Sequence, residues 1–395
     1  MTRSTPVARR LVVLAAVLAA SLARPDARQA PVDGVVFADT NRNGRRDPGE
    51  LGLGGVVVSN QRDVVTTDAS GGFRLPSPGT GVVFVSAPDR HEPVGPFWQR
   101  ADRERAFGLA PVAGSPSFTF LHGSDPHTSA ESVGRLRQVR AIAEQRRPAF
   151  VLMTGDLVRD ALRVGEAEAS GYYAMYEAEI AGFPMPVWSV PGNHENFGIE
   201  RHQSLVSPSH PLYGKGMYRT RLGPTYYSFT RGGIHFVGLD TVDVADLWYH
   251  GHVDEVQLAW LKADLAAVPP GMPVVTFNHI PLASASETLK GYTDEGAAPT
   301  TLRVGGRTVF RHVVSNLAAV AAAVAPHPWP LALGGHIHLR ELLRFGSPVT
   351  TRFEQAAAIA GGGGGGPVPA VSGVTLYTVR DGRIDDGEFI PLDVR

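Results

Sequence analysis

The chain has 395 residues, with 37 Lys+Arg against 38 Asp+Glu and 43% hydrophobic residues. That length exceeds one small domain, and a formal net charge of −1 gives no indication of nucleic-acid polymer binding. There is no cysteine, so disulfides and thiolate ligands are excluded, and any metal here must be held by His, Asp, Glu or Asn.

The N-terminus differs from the rest. Arg3, Arg9 and Arg10 precede the apolar run LVVLAAVLAASLA at 11–23, which ends in small residues at Ser21 and Ala23. This pattern predicts a secretory signal and leader over residues 1–30. The run is too short and Ala-rich for a membrane span. An exported protein is therefore expected, periplasmic or extracellular, with no transmembrane span once mature. A buried or membrane-anchoring helix is the alternative, and Sec and twin-arginine export both stay open.

Residues 31–98 contain short β-branched runs (GVVF, GGVVVSN, VVTTD, GFRLP, GVVFVSA) separated by Gly, Pro, Asp and Asn. They predict a small all-β sandwich. Within it, DTNRNGRRDPGE at 39–50 fits the EF-hand loop template. Asp39, Asn41, Asn43, Asp47 and Glu50 would supply side-chain oxygens to calcium, although the flanks read as strands rather than helices. An Asx-rich turn satisfied without metal is the alternative. The segment resembles the calcium-binding B-type repeats of surface adhesins. Residues 99–115, charged and then Pro/Gly-rich, read as a linker.

From 116 to 395 the pattern becomes α/β, with apolar strand runs alternating with helical periodicity. SFTFLHGSD, PAFVLMTGD, MPVWSVPGNH, MPVVTFNHIP and PLALGGHIH read as strands. ESVGRLRQVRAIAEQRR, ASGYYAMYEAEIAGF, DEVQLAWLKADLAAV and RHVVSNLAAVAAAVA read as helices, and TYYSFTRGGIHFVGLDT as a hairpin. The six glycines at 361–366 read as a surface loop, since no helix or Lys-Ser/Thr follows them.

Five strand ends carry ligand-type residues: Asp125 and His127, Asp156, Asn193-His194-Glu195, His279, and His336 and His338. Ligands of open α/β sheets bind outside the carboxyl ends of the strands, so these groups are expected at one edge. Pro126 should disfavour helix at Asp125 and hold it extended, so that Asp125 and His127 point to one side. Even without His194, two Asp, one Asn and four His exceed the needs of one tetrahedral ion and suit two bridged ions.

In this order, SDPH, TGDLVRD, PGNHENF, FNHIP and GGHIH resemble the calcineurin-like metallophosphoesterase family over about residues 116–345. The resemblance implies a four-layer αββα sandwich with a di-metal site at one edge. It implies that Asp125, His127 and His338 hold one metal, that Asp156 bridges, and that Asn193, His279 and His336 hold the other. His194 would contact the phosphate or leaving group, and Asp160 would hold a hydrogen bond nearby. Glu195 belongs to the motif without an assigned chemistry.

Mixed N/O ligation suits Mn, Fe, Zn or Ni. Two such ions make a bridging hydroxide that attacks phosphorus. The expected function is an exported metal-dependent hydrolase of phosphate mono- or diesters. The alternative is a cell-envelope binding protein whose all-β part does the work. Pocket candidates are His202, Tyr213, Tyr249, His250 and His252; Gln257 and Trp260 read as packing.

Overall fold

A computed structural model describes residues 30–103, 105–115, 117–295, 299–346, 350–362 and 371–393. The expected secretion signal therefore lies outside the described residues. Among the described residues, no helix is long and apolar enough to cross a membrane.

Eight short strands come first: β1 (Val32–Ala38), β2 (Val57–Ser59), β3 (Val64–Thr66), β4 (Gly72–Leu75), β5 (Val82–Ser86), β6 (His91–Pro93), β7 (Trp98–Arg100) and β8 (Ala106–Pro111). They form two four-stranded sheets, ordered β4-β1-β8-β6 and β3-β2-β5-β7. Val36, Leu75 and Phe107 of the first pack against Val58, Val83 and Val85 of the second. The segment 99–115, expected as a linker, instead carries β8, which runs parallel to β1 and completes the first sheet. The charged turn before β8 hid it, and its buried run Phe107–Ala110 has no alternation to announce a strand.

The remainder opens with β9 (Ser117–Gly123), α1 (Val133–Arg146), β10 (Phe150–Thr154), α2 (Glu166–Ile180) and β11 (Val187–Val190). Two short helices follow, α3 (Arg201–Ser204) and α4 (Gly216–Arg221). Then come β12 (Tyr227–Arg231), β13 (Ile234–Leu239), β14 (Val242–Ala245), β15 (Trp248–Gly251), α5 (Glu255–Ala266), β16 (Val274–Asn278), α6 (Ala285–Lys290), β17 (Thr301–Val304) and β18 (Arg307–Phe310). The chain closes with α7 (Leu317–Val324), β19 (Leu331–Gly334), β20 (Glu341–Phe345), β21 (Thr351–Gln355), β22 (Gly373–Arg380), β23 (Arg383–Ile384) and β24 (Glu388–Pro391).

Two six-stranded sheets result. One runs β11-β10-β9-β22-β23 with β24 beside β22, and the other β12-β13-β16-β19-β21-β20. Aromatic rings fill the space between them. Phe120 and Phe150 of the first sheet meet Phe236 of the second edge-on, at 5.6 and 5.1 Å between centroids. On the outer face of the first sheet, Leu136, Val139, Tyr173 and Tyr176 of α1 and α2 cover Leu121, Val151 and Met153. Helices α5 and α7 cover the second sheet with Leu258, Leu261, Leu265, Val320 and Val324. The order is helix, sheet, sheet, helix: the αββα sandwich preceded by an all-β region.

Helix α7 is shorter than its apolar periodicity predicts. Asn316 exchanges hydrogen bonds with the Val253 backbone at 3.1 and 2.8 Å. That pairing fixes Asn316 outside helical geometry and frees residues 311–315 to run along the site.

The all-β region is not a bead on a string. All five β5 residues are buried: Val83 and Val85 face the region's own core, while Phe84 packs edge-on against Tyr227 and Trp260. A polar chain crosses the same contact. Ser86 Oγ lies 2.9 Å from Ser228 Oγ, which donates to Asp264 at 2.7 Å. Asp264 in turn holds His235 at 2.9 Å. Phe84→Ala should lower stability by about 3–5 kcal/mol. Calorimetry should show one transition at lower temperature; a separate early melt of the all-β region would disprove joint folding.

Candidate metal centre

Strands β9, β10 and β11 run parallel, as do β13, β16, β19 and β21. Their carboxyl ends therefore share one edge of the sandwich, where the sequence puts its polar groups. Asp125 and His127 follow β9, Asp156 follows β10, and Asn193 and His194 follow β11. His279 follows β16, and His336 and His338 follow β19.

The local backbone is strained where these side chains turn in. Asp125, His127, Asp156, His336 and His338 have φ of 53°, 40°, 48°, 72° and 55°. Asp125 is therefore not extended, as the following proline suggested. The segment after β9 instead bends back onto the loop after β10. Asp125 N–H donates to Gly155 O at 3.0 Å and His127 N–H to Asp156 O at 2.9 Å. These bonds over-determine a conformation that L-residues disfavour, a pattern concentrated at functional sites. Two glycines permit the close approach. A Cβ on Gly192 would collide with Asp156, and one on Gly335 with Ser124 and Asp125.

Two donor groups form. Asp125, His127, Asp156 and His338 offer atoms all within 4.8 Å of one another, and so do Asp156, His279 and His336. Asp156 belongs to both. In the first group, His338 Nε2 lies 3.2 Å from Asp125 Oδ1 and 3.2 Å from His127 Nε2. In the second, His279 Nε2 lies 3.2 Å from Asp156 Oδ1, 3.1 Å from Asn193 Oδ1 and 3.1 Å from His336 Nδ1.

Supporting bonds aim these nitrogens. Carbonyls accept only, so His279 Nδ1 donates to Thr154 O at 2.8 Å and His338 Nδ1 to Gly362 O at 3.1 Å. In each ring Nε2 is left facing the cluster. Asp125 Oδ1 is buried with no hydrogen-bond partner. Converging lone pairs beside an unpartnered carboxylate oxygen fit divalent cations, and without cations they need protons.

The electrostatics agree. Burial alone would raise Asp156, yet His279, His194 and His127 hold it well below the usual carboxylate range. Burial would lower His279, but Asp156 and then Asp125 push it up to about 9. His338, opposed by burial but next to Asp125, also reaches about 9. Burial, with His279 and His312 beside it, keeps His336 well below its ordinary value.

The sequence left two participants unassigned. Glu195 is buried, and its carboxylate accepts the N–H groups of Asp156 and Val158 at 3.0 Å each and also that of Gly192. It clamps the loops that carry Asp156 and Asn193. His312 Nδ1 sits 2.7 Å from His336 Nε2, with the rings stacked at 22°. It falls within a run that reads as helix, so nothing local signals its place.

His194 Nδ1 donates to Arg159 O at 2.7 Å, and its Nε2 lies 3.8 Å from Asp156. Asp160 lies 4.0 Å from His194 and pairs with Arg163 at 2.9 Å. A cleft of about 420 Å3 opens over His127, Asp156, Asn193, His194, His336 and His338.

Of the pocket candidates, Tyr249 lines this cleft, edge-on to His336 at 5.7 Å. His202, Tyr213, His250 and His252 do not line it. Gln257 bonds the Asp240 backbone and Trp260 is core, as expected. In the loop after β1, Asn41 and Asn43 donate to Asp47 at 2.7 Å each. Asp39 accepts from Asn43 and Gly44, and Glu50 accepts from Thr40 and Asp47. The carboxylates of Asp39, Asp47 and Glu50 do not converge as the two donor groups above do.

Residues 118–340 match the family described as calcineurin-like phosphoesterases. No match is found among curated proteins. Among solved structures, a dimetal phosphatase from Danio rerio is 16% identical with a TM-score of 0.45, covering 70% of this chain and 99% of that one. The structure of PhoD is 12% identical with a TM-score of 0.46, covering 89% and 84%. At these values the likenesses carry no functional information.

Two predictions follow from the geometry. Glu195→Gln should weaken metal binding roughly 10–100-fold, measured by Mn²⁺ titration; unchanged affinity would show that the clamp is dispensable. With His279 and His338 at about 9, both carry protons at pH 7 in metal-free protein. A cation must displace those protons, so affinity should tighten as pH rises toward 9. Calorimetry in buffers of differing ionisation heat should show protons released as metal binds, and none would contradict the assignment.

Proposed function

The chain belongs to the calcineurin-like phosphoesterase family, and on that footing we propose that it is an exported two-metal hydrolase of phosphoric esters. The observation that carries this reading is the pair of donor groups meeting at Asp156. Asp125, His127 and His338 would hold one divalent ion and Asn193, His279 and His336 the other, with Asp156 between them. Bound there, Mn, Fe, Zn or Ni would acidify a shared water and neutralise phosphate charge.

The chain's own groups do the rest. Asn193 contributes an oxygen without adding negative charge. His194 keeps its Nδ1 proton on Arg159 O, which turns Nε2 toward the cleft. Protonated there, it hands a proton to the departing oxygen. Strained loops fix the donors before substrate arrives, so little reorganisation accompanies the reaction. Export is supported by the basic residues and the apolar run 11–23 of the leader over residues 1–30. The calcium reading of Asp39–Glu50 rests on its sequence template. A cation there would displace the Asn–Asp47 hydrogen bonds, and a rise in melting temperature with Ca²⁺ would support it.

The test is turnover of aryl phosphate mono- and diesters by residues 31–395 supplied with Mn²⁺. Activity on either, lost in Asp156→Asn with the fold retained, is expected. No turnover together with no bound metal would overturn the reading. His194→Ala should slow alkyl phosphates by about 10²–10⁴-fold and nitrophenyl phosphate far less, since nitrophenolate leaves without a proton. Equal losses on both would remove His194 as the acid.

A further inference from the structure

A second cleft, of about 440 Å3, adjoins the first and shares His127 and His194 with it. Its walls are Glu131, Ser132 and Arg135 where α1 begins, Arg159, Asp160 and Arg163 after β10, and Ala360 and Gly361. Nothing in the reaction described above uses the guanidinium groups of these arginines.

Their charge is unevenly committed. Arg163 is closed in by Asp160 and Glu200, each at 2.9 Å. Asp160 is thereby occupied as well. Arg135 gives Nη1 to Ala360 O, while its Nε is buried without a partner. The Arg159 guanidinium has no hydrogen-bond or ion-pair partner among the described residues, although its carbonyl orients His194. The carboxylate on this wall not taken by an arginine is Glu131, which is exposed. Helix α1 starts here with no acidic residue in its first turn, so its positive end is not neutralised from within. The cleft thus presents one unpartnered guanidinium, Arg159, and a second, Arg135, held to Ala360 O through Nη1 alone, against one solvated carboxylate.

His194 stands between the two clefts. A group that departs past His194 moves toward Arg159 and Arg135. We propose that this cleft binds a phosphate carried by the leaving group, so that the substrate is a phosphate ester of an already phosphorylated alcohol. The inference rests on the phosphoesterase reading above. Two guanidiniums match a phosphate, whose three terminal oxygens accept more donors than a carboxylate's two.

The test uses the full chain loaded with Mn²⁺ and a flexible matched pair, 1,4-butanediol monophosphate and 1,4-butanediol bisphosphate. Phosphate release should give a kcat/KM at least ~10-fold higher for the bisphosphate, the scale of one charge-assisted contact. Arg159→Ala should bring the ratio of the two close to one, and Arg159→Lys should restore part of it. A wild-type ratio near one, or a ratio unmoved by Arg159→Ala, would overturn the proposal.

Calorimetric binding of 1,4-butanebisphosphonate against butylphosphonate separates the two readings. If neither ester turns over and no metal is bound, yet the bisphosphonate binds ~10-fold tighter through Arg159, the subsite stands and the hydrolase reading falls. Equal binding of the two phosphonates removes the subsite, and with no turnover and no bound metal it removes both.

Discussion

A fully buried negative charge governs this structure. Asp156 is 2% exposed, and a carboxylate taken out of water survives only if positive charge and hydrogen bonds surround it. The His194 backbone N–H donates to it at 2.9 Å, and His279 stands 3.2 Å away. Satisfying one aspartate therefore draws in groups from three strand ends and both sheets. Asp125, 0% exposed, repeats the demand next to it. Parallel strands answer it economically, because their carboxyl ends all open on one edge and each adds a donor without a long connection.

Concentration of donors comes with backbone strain. Five cluster residues have positive φ, each costing on the order of 1–3 kcal/mol. The offset is local and specific. The loops after β9 and β10 bond to each other through their backbones, and Glu195 ties the loops after β10 and β11 together. The donors are thus preorganised rather than gathered by a ligand, which suits fixed electrostatic stabilisation of a reacting phosphate.

One loop, residues 156–163, links several of these roles. It supplies Asp156, the carbonyl that orients His194, and two arginines of the neighbouring cleft, Arg159 and Arg163. Far from it, the all-β region is joined to the second sheet by Phe84 and by the hydrogen-bonded chain from Ser86 to His235. The burial of Phe84 and Ser86 makes the region part of the scaffold of the second sheet.

The sequence by itself determined the class of fold and the positions of the cluster residues. Strand periodicity is local, and a strand that ends in GD, GNH or GHIH announces its polar group without knowing its neighbours. The same locality explains what the sequence did not determine. β8 reads as a linker because its partner, β1, lies some seventy residues earlier. Asp125 reads as extended because proline acts on one bond, whereas Gly155 across the loop decides its φ. His312 reads as helix because Asn316's partner, Val253, is distant in sequence. The clamp of Glu195 and the arginine cleft likewise exist only once separate loops meet. Long-range hydrogen bonds and packing settled each of these, for a pattern of residues records its own period and not the partner that overrides it.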